Sequence, residues 1–259
     1  MTDAKYVNTT REGHLLIVEM NRPERMNALH PPANEALAAV FDAFAEDSEL
    51  WVAILTGVGD RAFCAGNDLR WQAEGNAITV PPTGFAGLTN RYDMNKPVIA
   101  AVNGVAMGGG FEIALACDLI IASDNARFAL PEPKVGLAAL AGGMHRLPRQ
   151  IGLKQAMGMI LTGRHVPAAE GQQLGFVNEV VPQADLMATA RKWAEMIMSC
   201  SPMSIRASKE TVMGGLNIAD FQSAFQHRFP AITAMVKSAD FIEGPRAFAQ
   251  KRAPEWKGK

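Results

Sequence analysis

The chain of 259 residues is 48% hydrophobic, which is enough for a sizeable core, and its formal net charge of −1 excludes an electrostatic case for nucleic acid or an anionic membrane as partner. Its three cysteines, Cys64, Cys117 and Cys200, are an odd number without metal-ligand spacing, so a disulfide framework is not expected. The first residues lack the apolar segment of a signal peptide and no window approaches about 18 uninterrupted apolar residues, which predicts a protein of the reducing cytoplasm.

The first part of the chain predicts a β-hairpin, a helix and a buried strand. Residues 6–20 alternate apolar and polar side chains around a turn at 11–13, the pattern of a hairpin. Helical periodicity runs over 27–47 and is begun by Pro31, and the apolar run 51–56 is typical of a short strand.

Residues 57–62, Gly-Val-Gly-Asp-Arg-Ala, fit the G-x-G-x-x-A pattern of a dinucleotide-binding turn. A true fingerprint opens a helix, because the helix N-terminus holds the pyrophosphate. Residues 63–67 predict another extended piece and a loop instead, so we expect neither a nicotinamide nor a flavin cofactor. The following loop, 75–87, is rich in Gly, Pro and Thr, and its length favours a pocket cover over a passive linker.

The central stretch from Pro97 to Glu112 predicts a strand that leads into a helix opened by glycines. The apolar run 98–102 is typical of a strand buried on both faces, and three glycines at 108–110 precede a good helix sequence. Such a helix start presents unpaired N–H groups and the positive end of the dipole to a ligand oxygen, with Glu112 in the first turn. The same glycines would also allow close packing of strand and helix, so locally both interpretations stay open.

Beyond this helix, alternating strands and helices give way to a helical C-terminal part. Extended pieces are predicted at 119–122 and 127–130, and a helix at 142–151 starts on paired glycines. The later predictions are one strand at 177–181 and helices at 154–161, 168–174, 184–198, 202–213 and 218–237. We therefore expect an α/β core over 1–200 and a helical region over 201–259 that packs on a partner subunit.

Three segments in register resemble those of the crotonase (enoyl-CoA hydratase/isomerase) superfamily. Residues 62–69, Ala-Phe-Cys-Ala-Gly-Asn-Asp-Leu, are similar to its A-F-x-A-G-x-D-L segment, and residues 103–112 to its N-G-x-A-x-G-G-G-x-E segment. The third consists of 128–132, Phe-Ala-Leu-Pro-Glu, followed by 142–143 and 146–147. One such motif is weak, but three in the family's order and spacing identify a resemblance over essentially the whole chain.

Within the superfamily the chain looks most like the carnitinyl-CoA dehydratases, on two segments without an evident catalytic role: 84–97 and the tail 242–257. The resemblance implies an α/β fold, a spiral of ββα units with a helical trimerisation region, assembled as a homotrimer or as a homohexamer of two trimers. It also implies a hydro-lyase that adds water reversibly to a 2-enoyl-CoA thioester without cofactor or metal.

The resemblance implies that two backbone N–H groups hold the thioester carbonyl oxygen, and these map onto Asn67 and Gly109. Two glutamates that activate water and move the proton at the α-carbon map onto Glu112 and Glu132. The local sequence alone would make Glu132 a loop carboxylate between two prolines. Only its register with the other segments assigns it a role.

Substrate contacts are expected at further positions of the matched segments and of the tail. Because the phosphates of CoA need positive charge and no phosphate-cradling G-x-x-x-x-G-K motif is present, basic residues are candidates. Asp68 is interpreted as a loop cap as well as a pocket residue. The candidates are Ala65, Asp68, Leu69, Arg70, Arg25, Lys251, Arg252 and Lys257.

Two other functions fit the same motifs: a double-bond isomerase that uses Glu132 alone, and a non-catalytic acyl-CoA-binding protein. His145 and His165 lack a Ser or Cys nucleophile partner and are interpreted as structural or peripheral. Residues 136–143 depart from the family pattern, because Ala139 and Leu140 stand where it has Pro and Gly or Asp, which predicts a looser, bulkier loop at the acyl end. An aromatic face for a trimethylammonium group would come from Trp71 and Tyr92.

Overall fold

A computed structural model describes residues 5–259, which form two β-sheets surrounded by α-helices. The strands in this part of the chain are β1 Val7–Glu12, β2 Leu15–Met20, β3 Val52–Gly57, β4 Ala62–Cys64, β5 Val98–Val102, β6 Val105–Met107, β7 Leu119–Ser123, β8 Arg127–Ala129, β9 Val166–Pro167 and β10 Glu179–Val181. The helices are α1 Pro31–Glu46, α2 Leu69–Ala73, α3 Gly109–Ala116, α4 Gly143–Gln150, α5 Leu153–Thr162, α6 Ala168–Leu174, α7 Leu186–Met198, α8 Pro202–Gly215, α9 Phe221–Gln226, α10 Pro230–Lys237 and α11 Ala239–Ala249.

The chain winds as a spiral because successive strands alternate between the two sheets. The larger sheet has the order β1-β2-β3-β5-β7-β10 and is parallel except for the β1-β2 hairpin. The smaller sheet has the order β4-β6-β8-β9 and is parallel except for β9. Each of the pairs β3/β4, β5/β6 and β7/β8 contributes one strand to each sheet. The expected α/β class and spiral of ββα units are confirmed.

The central strands β3 and β5 of the larger sheet are buried on both faces, and their apolar runs divide with a period of two. Ile54 and Ile99 pack in one cluster with Ala190 of α7, whereas the adjacent Leu55 and Ala100 belong to the main core. Full burial of one such aliphatic side chain contributes about 1.5–3 kcal/mol, so both layers hold the parallel strands in place. The candidate site lies at the carboxyl ends of β4, β6 and β8, the parallel strands of the smaller sheet.

The glycine-rich residues 57–62 do not open a helix, as expected. β3 ends at Gly57 and β4 begins at Ala62, and the turn between them is filled by the side chain of Asn103. The Asn103 Nδ2 donates to the carbonyls of Gly57 and Gly59, both at 2.7 Å. The space beside this turn therefore holds protein and not a pyrophosphate.

The structure differs from the predicted elements in several places. The prediction of one helix over 218–237 is wrong, because α9 ends at Gln226 and α10 begins at Pro230. Proline disfavours a helical residue before it, and Phe229 is extended, with ψ of 129°, and buried. Strands β6 and β9 and helices α2 and α11 were not anticipated. The helical region begins with α8, and its status as a separate domain stays a prediction.

Candidate active site

The site is built where the loop after β4 meets the first turn of α3. Gly110 lies against the loop so closely that a Cβ there would clash with the carbonyl oxygen of Cys64. A Cβ on Gly66 would lie 3.1 Å from the backbone nitrogen of Gly109. These two glycines therefore let the loop and the helix start approach each other, which is the close packing that the sequence left open.

The same approach leaves two backbone donors free. Within residues 5–259, the N–H groups of Asn67 and Gly109 donate to no acceptor, although the backbone around each is anchored. The N–H of Gly108 donates to Ala129 O at 2.9 Å, and Gly108 itself has φ of +53°, which glycine adopts most readily. The geometry provides unpaired N–H groups at a helix N-terminus, a site that favours a negatively charged oxygen.

Glu112 lies in the first turn of α3 and is 3% exposed. Its Oε1 accepts a hydrogen bond from the N–H of Gly143 at 2.8 Å, so a residue 31 positions away orients the carboxyl group. Burial raises the pKa of Glu112 to about 7; the Gly143 hydrogen bond opposes this shift and the nearby Glu132 adds to it. This side chain exchanges its proton close to neutral pH.

Glu132 follows β8 and lies beside the same helix start. Its Oε1 would be 2.9 Å from a Cβ on Gly108, and its Oε2 is buried without a hydrogen-bond partner among the described residues. Burial raises the pKa of Glu132. Buried carboxylates are ordinarily paired or hydrogen-bonded, so an open acceptor here indicates a position for a ligand or a water.

Comparison with known proteins places this geometry in a family. A model of the enoyl-CoA hydratase/isomerase family matches residues 10–259. The chain belongs to this family. The expected superfamily membership is thereby confirmed.

Individual relatives agree with this assignment. The carnitinyl-CoA dehydratases of Proteus mirabilis (strain HI4320) and Salmonella typhi are each 42% identical over 261 residues, which covers 98% of this chain and 98% of theirs. A solved enoyl-CoA hydratase from Mycobacterium tuberculosis H37Rv is 37% identical with a TM-score of 0.92, over 98% of this chain and 99% of that one. A solved carnitinyl-CoA hydratase from Mycobacterium avium is also 37% identical, with a TM-score of 0.79 over the same shares. The predicted likeness to carnitinyl-CoA dehydratases and the hydro-lyase class are confirmed.

Asp68 in this family member is a buried structural acid. Its Oδ1 accepts from the N–H of Trp71 and so caps α2, and its Oδ2 pairs with Arg22 at 2.9 Å. Burial alone would raise the pKa of Asp68, but the hydrogen bond and charge of Arg22 outweigh it and lower the pKa. Asp68 therefore stays ionised and faces a cation, which matches its predicted role as a cap.

The other predicted contacts near this loop are partly or fully accessible. Ala65 is partly buried between β4 and Gly66, Leu69 is 45% exposed, and Arg70 is exposed on α2. Arg25 is exposed in a short 3₁₀ turn, Pro23–Arg25. These basic side chains are free to contact a ligand at the surface.

The tail residues lie elsewhere on this chain. Arg252 makes hydrogen bonds with both carboxylate oxygens of Glu243, and with Lys257 it lines a cleft of about 420 Å³ beside α11. Lys251 is exposed, and Trp256 anchors the tail by donating to Ser199 O at 2.8 Å. None of the residues that line this cleft belongs to the Glu112 site.

Phe85 contributes to the site and was not predicted individually. Its ring packs on the helix start, where a Cβ on Gly109 would lie 2.5 Å from Cε1. The N–H of Phe85 donates to Thr89 Oγ1 at 2.9 Å, and the next residue, Ala86, donates to Asn34 Oδ1 at 2.7 Å. The predicted cover loop thus ends in a turn that fixes an aromatic ring beside one free N–H.

Several other candidates lie at the periphery. His145 and His165 are exposed. Tyr92 is 84% exposed and Trp71 packs edge-on against His30 with ring centroids 5.0 Å apart. In the divergent loop, Ala139 is buried and Leu140 is 82% exposed, so the larger side chain points outward.

The part of the chain from residue 5 to residue 259 contains no group of three His, Cys, Asp or Glu side chains that could hold a metal ion. None of its helices combines the length and hydropathy needed to cross a bilayer.

Proposed function

We propose that the chain catalyses reversible addition of water to a 2-enoyl-CoA thioester, with Glu112 and Glu132 acting on one water. The observation that carries the proposal is the pair of carboxyl groups beside one helix start, with Glu112 buried and Glu132 half-buried. Neither of them forms an ion pair within the described residues. Mutual repulsion and burial favour a state in which one carboxyl group is protonated and the other is ionised.

Such a pair supplies both proton transfers that hydration requires. The ionised carboxylate takes a proton from water while the water oxygen bonds to the β-carbon. The carboxylic acid delivers a proton to the α-carbon, and the pair then exchanges its proton to regain the starting state. Dehydration follows the same path in reverse.

The free N–H groups of Asn67 and Gly109 would bind the thioester oxygen. When water adds at the β-carbon, negative charge moves through the conjugated system onto this oxygen. Donors that already point at the oxygen stabilise the resulting enolate, and the loss of one such donor costs about 3 kcal/mol of barrier. This step needs the close approach that Gly66 and Gly110 permit.

Within the class of 2-enoyl-CoA thioesters, the proposed substrate is crotonobetainyl-CoA, the dehydration product of carnitinyl-CoA. It rests on the names of the 42% identical relatives. In addition, the Leu140 side chain points outward, so it does not occupy the expected acyl end of the site. Straight-chain 2-enoyl-CoA thioesters are the comparison substrates, and relative kcat/KM values across the panel would decide between them.

Surface basic residues near the loop are proposed to hold CoA. Arg25 and Arg70 are exposed and unpaired in the described chain, whereas Arg252 is occupied by Glu243. Lys251 and Lys257 remain candidates for binding CoA at the site of a neighbouring subunit. The tail can reach such a site only if subunits associate. Replacing Arg25 and Arg70 with Ala should raise KM with little change in kcat, and an unchanged KM would remove them from this role.

We further propose a cytoplasmic homotrimer or homohexamer. The helical region exposes large apolar side chains on α8, at its C-terminal end and on α9: Val212, Met213, Leu216, Phe221 and Phe225. Exposed apolar patches of this kind mark protein interfaces. Sedimentation equilibrium of the full chain would show a single subunit mass if this assembly is wrong.

The central test uses Glu112→Gln and Glu132→Gln in an assay that follows loss of the conjugated enoyl absorbance. Each change should remove most of the hydration activity, roughly a thousandfold, and the double change should cost little more because the two groups act together. Glu170→Gln, which alters a partly exposed ion pair with Arg164, is the matched control and should leave activity unchanged.

The same variants separate hydratase from isomerase. An isomerase needs one base, so Glu132→Gln would abolish turnover while Glu112→Gln would keep a sizeable fraction. Retention of full hydration by folded Glu112→Gln would contradict the two-carboxylate mechanism. Binding of acyl-CoA without turnover of any thioester in the panel would instead support a non-catalytic acyl-CoA-binding protein.

A further inference from the structure

Behind the Asn67 donor lies a buried ion pair that the proposed proton transfers do not use. Arg22 and Asp68 are separated by 46 positions, and their side chains are 10% and 7% exposed. Arg22 Nη2 donates to Asp68 Oδ2 at 2.9 Å, and Arg22 Nη1 donates to the carbonyl oxygen of Ala28. One guanidinium therefore holds a side chain and a peptide group together.

The Ala28 carbonyl starts a line of hydrogen bonds that ends at the Asn67 N–H. The carbonyl of Ala28 and the N–H of Leu29 belong to one peptide group, so they point in opposite directions. The N–H of Leu29 donates to Gly66 O at 2.8 Å. The carbonyl of Gly66 shares its peptide group with the N–H of Asn67, which therefore points away from Leu29.

Two physical effects follow from this arrangement. The bond to Gly66 O fixes the plane of the peptide that carries the free N–H, and the bond from Asp68 N–H to Leu29 O at 2.9 Å fixes the next peptide, 67–68. A cation at the start of a hydrogen-bonded chain also polarises each following peptide in the same sense, which makes the final N–H a stronger donor. Both effects serve a group that must stabilise negative charge.

We propose that Arg22 is a positioning residue for the oxyanion hole: held by Asp68, it aims and polarises the Asn67 N–H through the peptide groups 28–29 and 66–67. This inference rests on the proposed function, because it assumes that the Asn67 N–H binds the thioester oxygen. The role of Asp68 is to keep the guanidinium on the Ala28 carbonyl and, by capping α2, to end the loop at the correct place.

The test variant replaces both charges at once, Arg22→Met with Asp68→Asn. Neither buried charge is left without its partner, and the amide oxygen that Asp68→Asn introduces can still accept from the N–H of Trp71. A second variant, Arg22→Lys, keeps the charge but loses the fork that serves Ala28 and Asp68 together. The control is Arg191→Met with Glu12→Gln, which removes a bidentate ion pair elsewhere on the surface.

The decisive readout is the carbonyl stretch of butyryl-CoA labelled with ¹³C at its thioester carbon, measured by infrared difference spectroscopy on the bound complex. This saturated thioester cannot be hydrated, so it reports hydrogen bonding without turnover. Binding to the natural chain and to the control should lower the frequency. In Arg22→Met with Asp68→Asn the shift should fall to less than about half, with Arg22→Lys between the two.

The value of kcat should fall in the same variants that lose the carbonyl frequency shift. With a 2-enoyl-CoA substrate, kcat should fall about ten- to a hundredfold in the double variant while KM changes less than about threefold, because the donor strengthens mainly as charge develops. Absence of any carbonyl shift in the natural chain would overturn the oxyanion hole itself. A normal shift there that persists in folded Arg22→Lys and in the double variant would overturn the role of Arg22 and leave the proposed function standing.

Discussion

Asp68 and Glu112 are two buried acids of the same candidate site, yet their surroundings differ in one respect. Asp68 faces the guanidinium of Arg22, so its pKa is lowered despite burial. Glu112 accepts a hydrogen bond from the N–H of Gly143 and has another acid nearby, so burial dominates and raises its pKa to about 7. The comparison shows how one site separates an acid that maintains structure from an acid that exchanges a proton.

Of the two acids compared, removing the charge of Asp68 should have the largest effect on stability. Asp68→Asn leaves the buried Arg22 without its counter-charge, and the free energy of unfolding at pH 7 should drop by about 3–5 kcal/mol. Adding Arg22→Met should restore much of the loss, because the unpaired charge is then gone. Urea denaturation measures both values, and a double variant no more stable than Asp68→Asn alone would contradict this account.

Glu112→Gln should have the opposite effect on the free energy of unfolding. Because the folded pKa of about 7 lies above the ordinary 4.5, ionisation of Glu112 opposes folding, and stability falls as pH rises from 4.5 through 7. At pH 8 the neutral Gln should therefore raise the free energy of unfolding by about 2–3 kcal/mol, and near pH 4 the gain should vanish. Thermal melting at both pH values tests this, and a loss of stability at pH 8 would contradict it.

A smaller effect is expected from the cation nearest to Glu112. Arg146 is held by the carbonyls of Thr89 and Ala141, at 2.6 and 3.3 Å, and its charge lowers the pKa of Glu112 against the larger effect of burial. Arg146→Gln should therefore move the kcat/KM pH limb governed by the carboxyl pair to higher pH. An unmoved limb in a folded variant would show that this limb does not report Glu112.

The smallest effect is expected in the divergent loop. Leu140 is 82% exposed, so Leu140→Ala should change the free energy of unfolding by less than about 0.5 kcal/mol. Changes in activity of this variant should appear only with substrates whose acyl chain reaches the loop. Equal loss of activity with every thioester would mean that Leu140 supports the carboxyl pair and not the acyl end.

Much of the local structure was decided by the sequence alone. The alternation in 6–20 specifies the β1-β2 hairpin, and the glycines at 108–110 followed by a good helix sequence specify α3 with Glu112 in its first turn. These features depend on neighbours within a few residues, for which side-chain periodicity and backbone freedom are sufficient. The family resemblance came from the same segments because their order and spacing are readable in one dimension.

The tertiary structure decided which distant groups meet. Arg22 and Asp68 lie 46 positions apart, Glu112 and the Gly143 N–H lie 31 apart, and no local pattern pairs them. It also decided that Leu140 points outward. The tertiary structure also decided the charge states of the buried acids, because a pKa depends on burial and on partners that only the folded chain brings together.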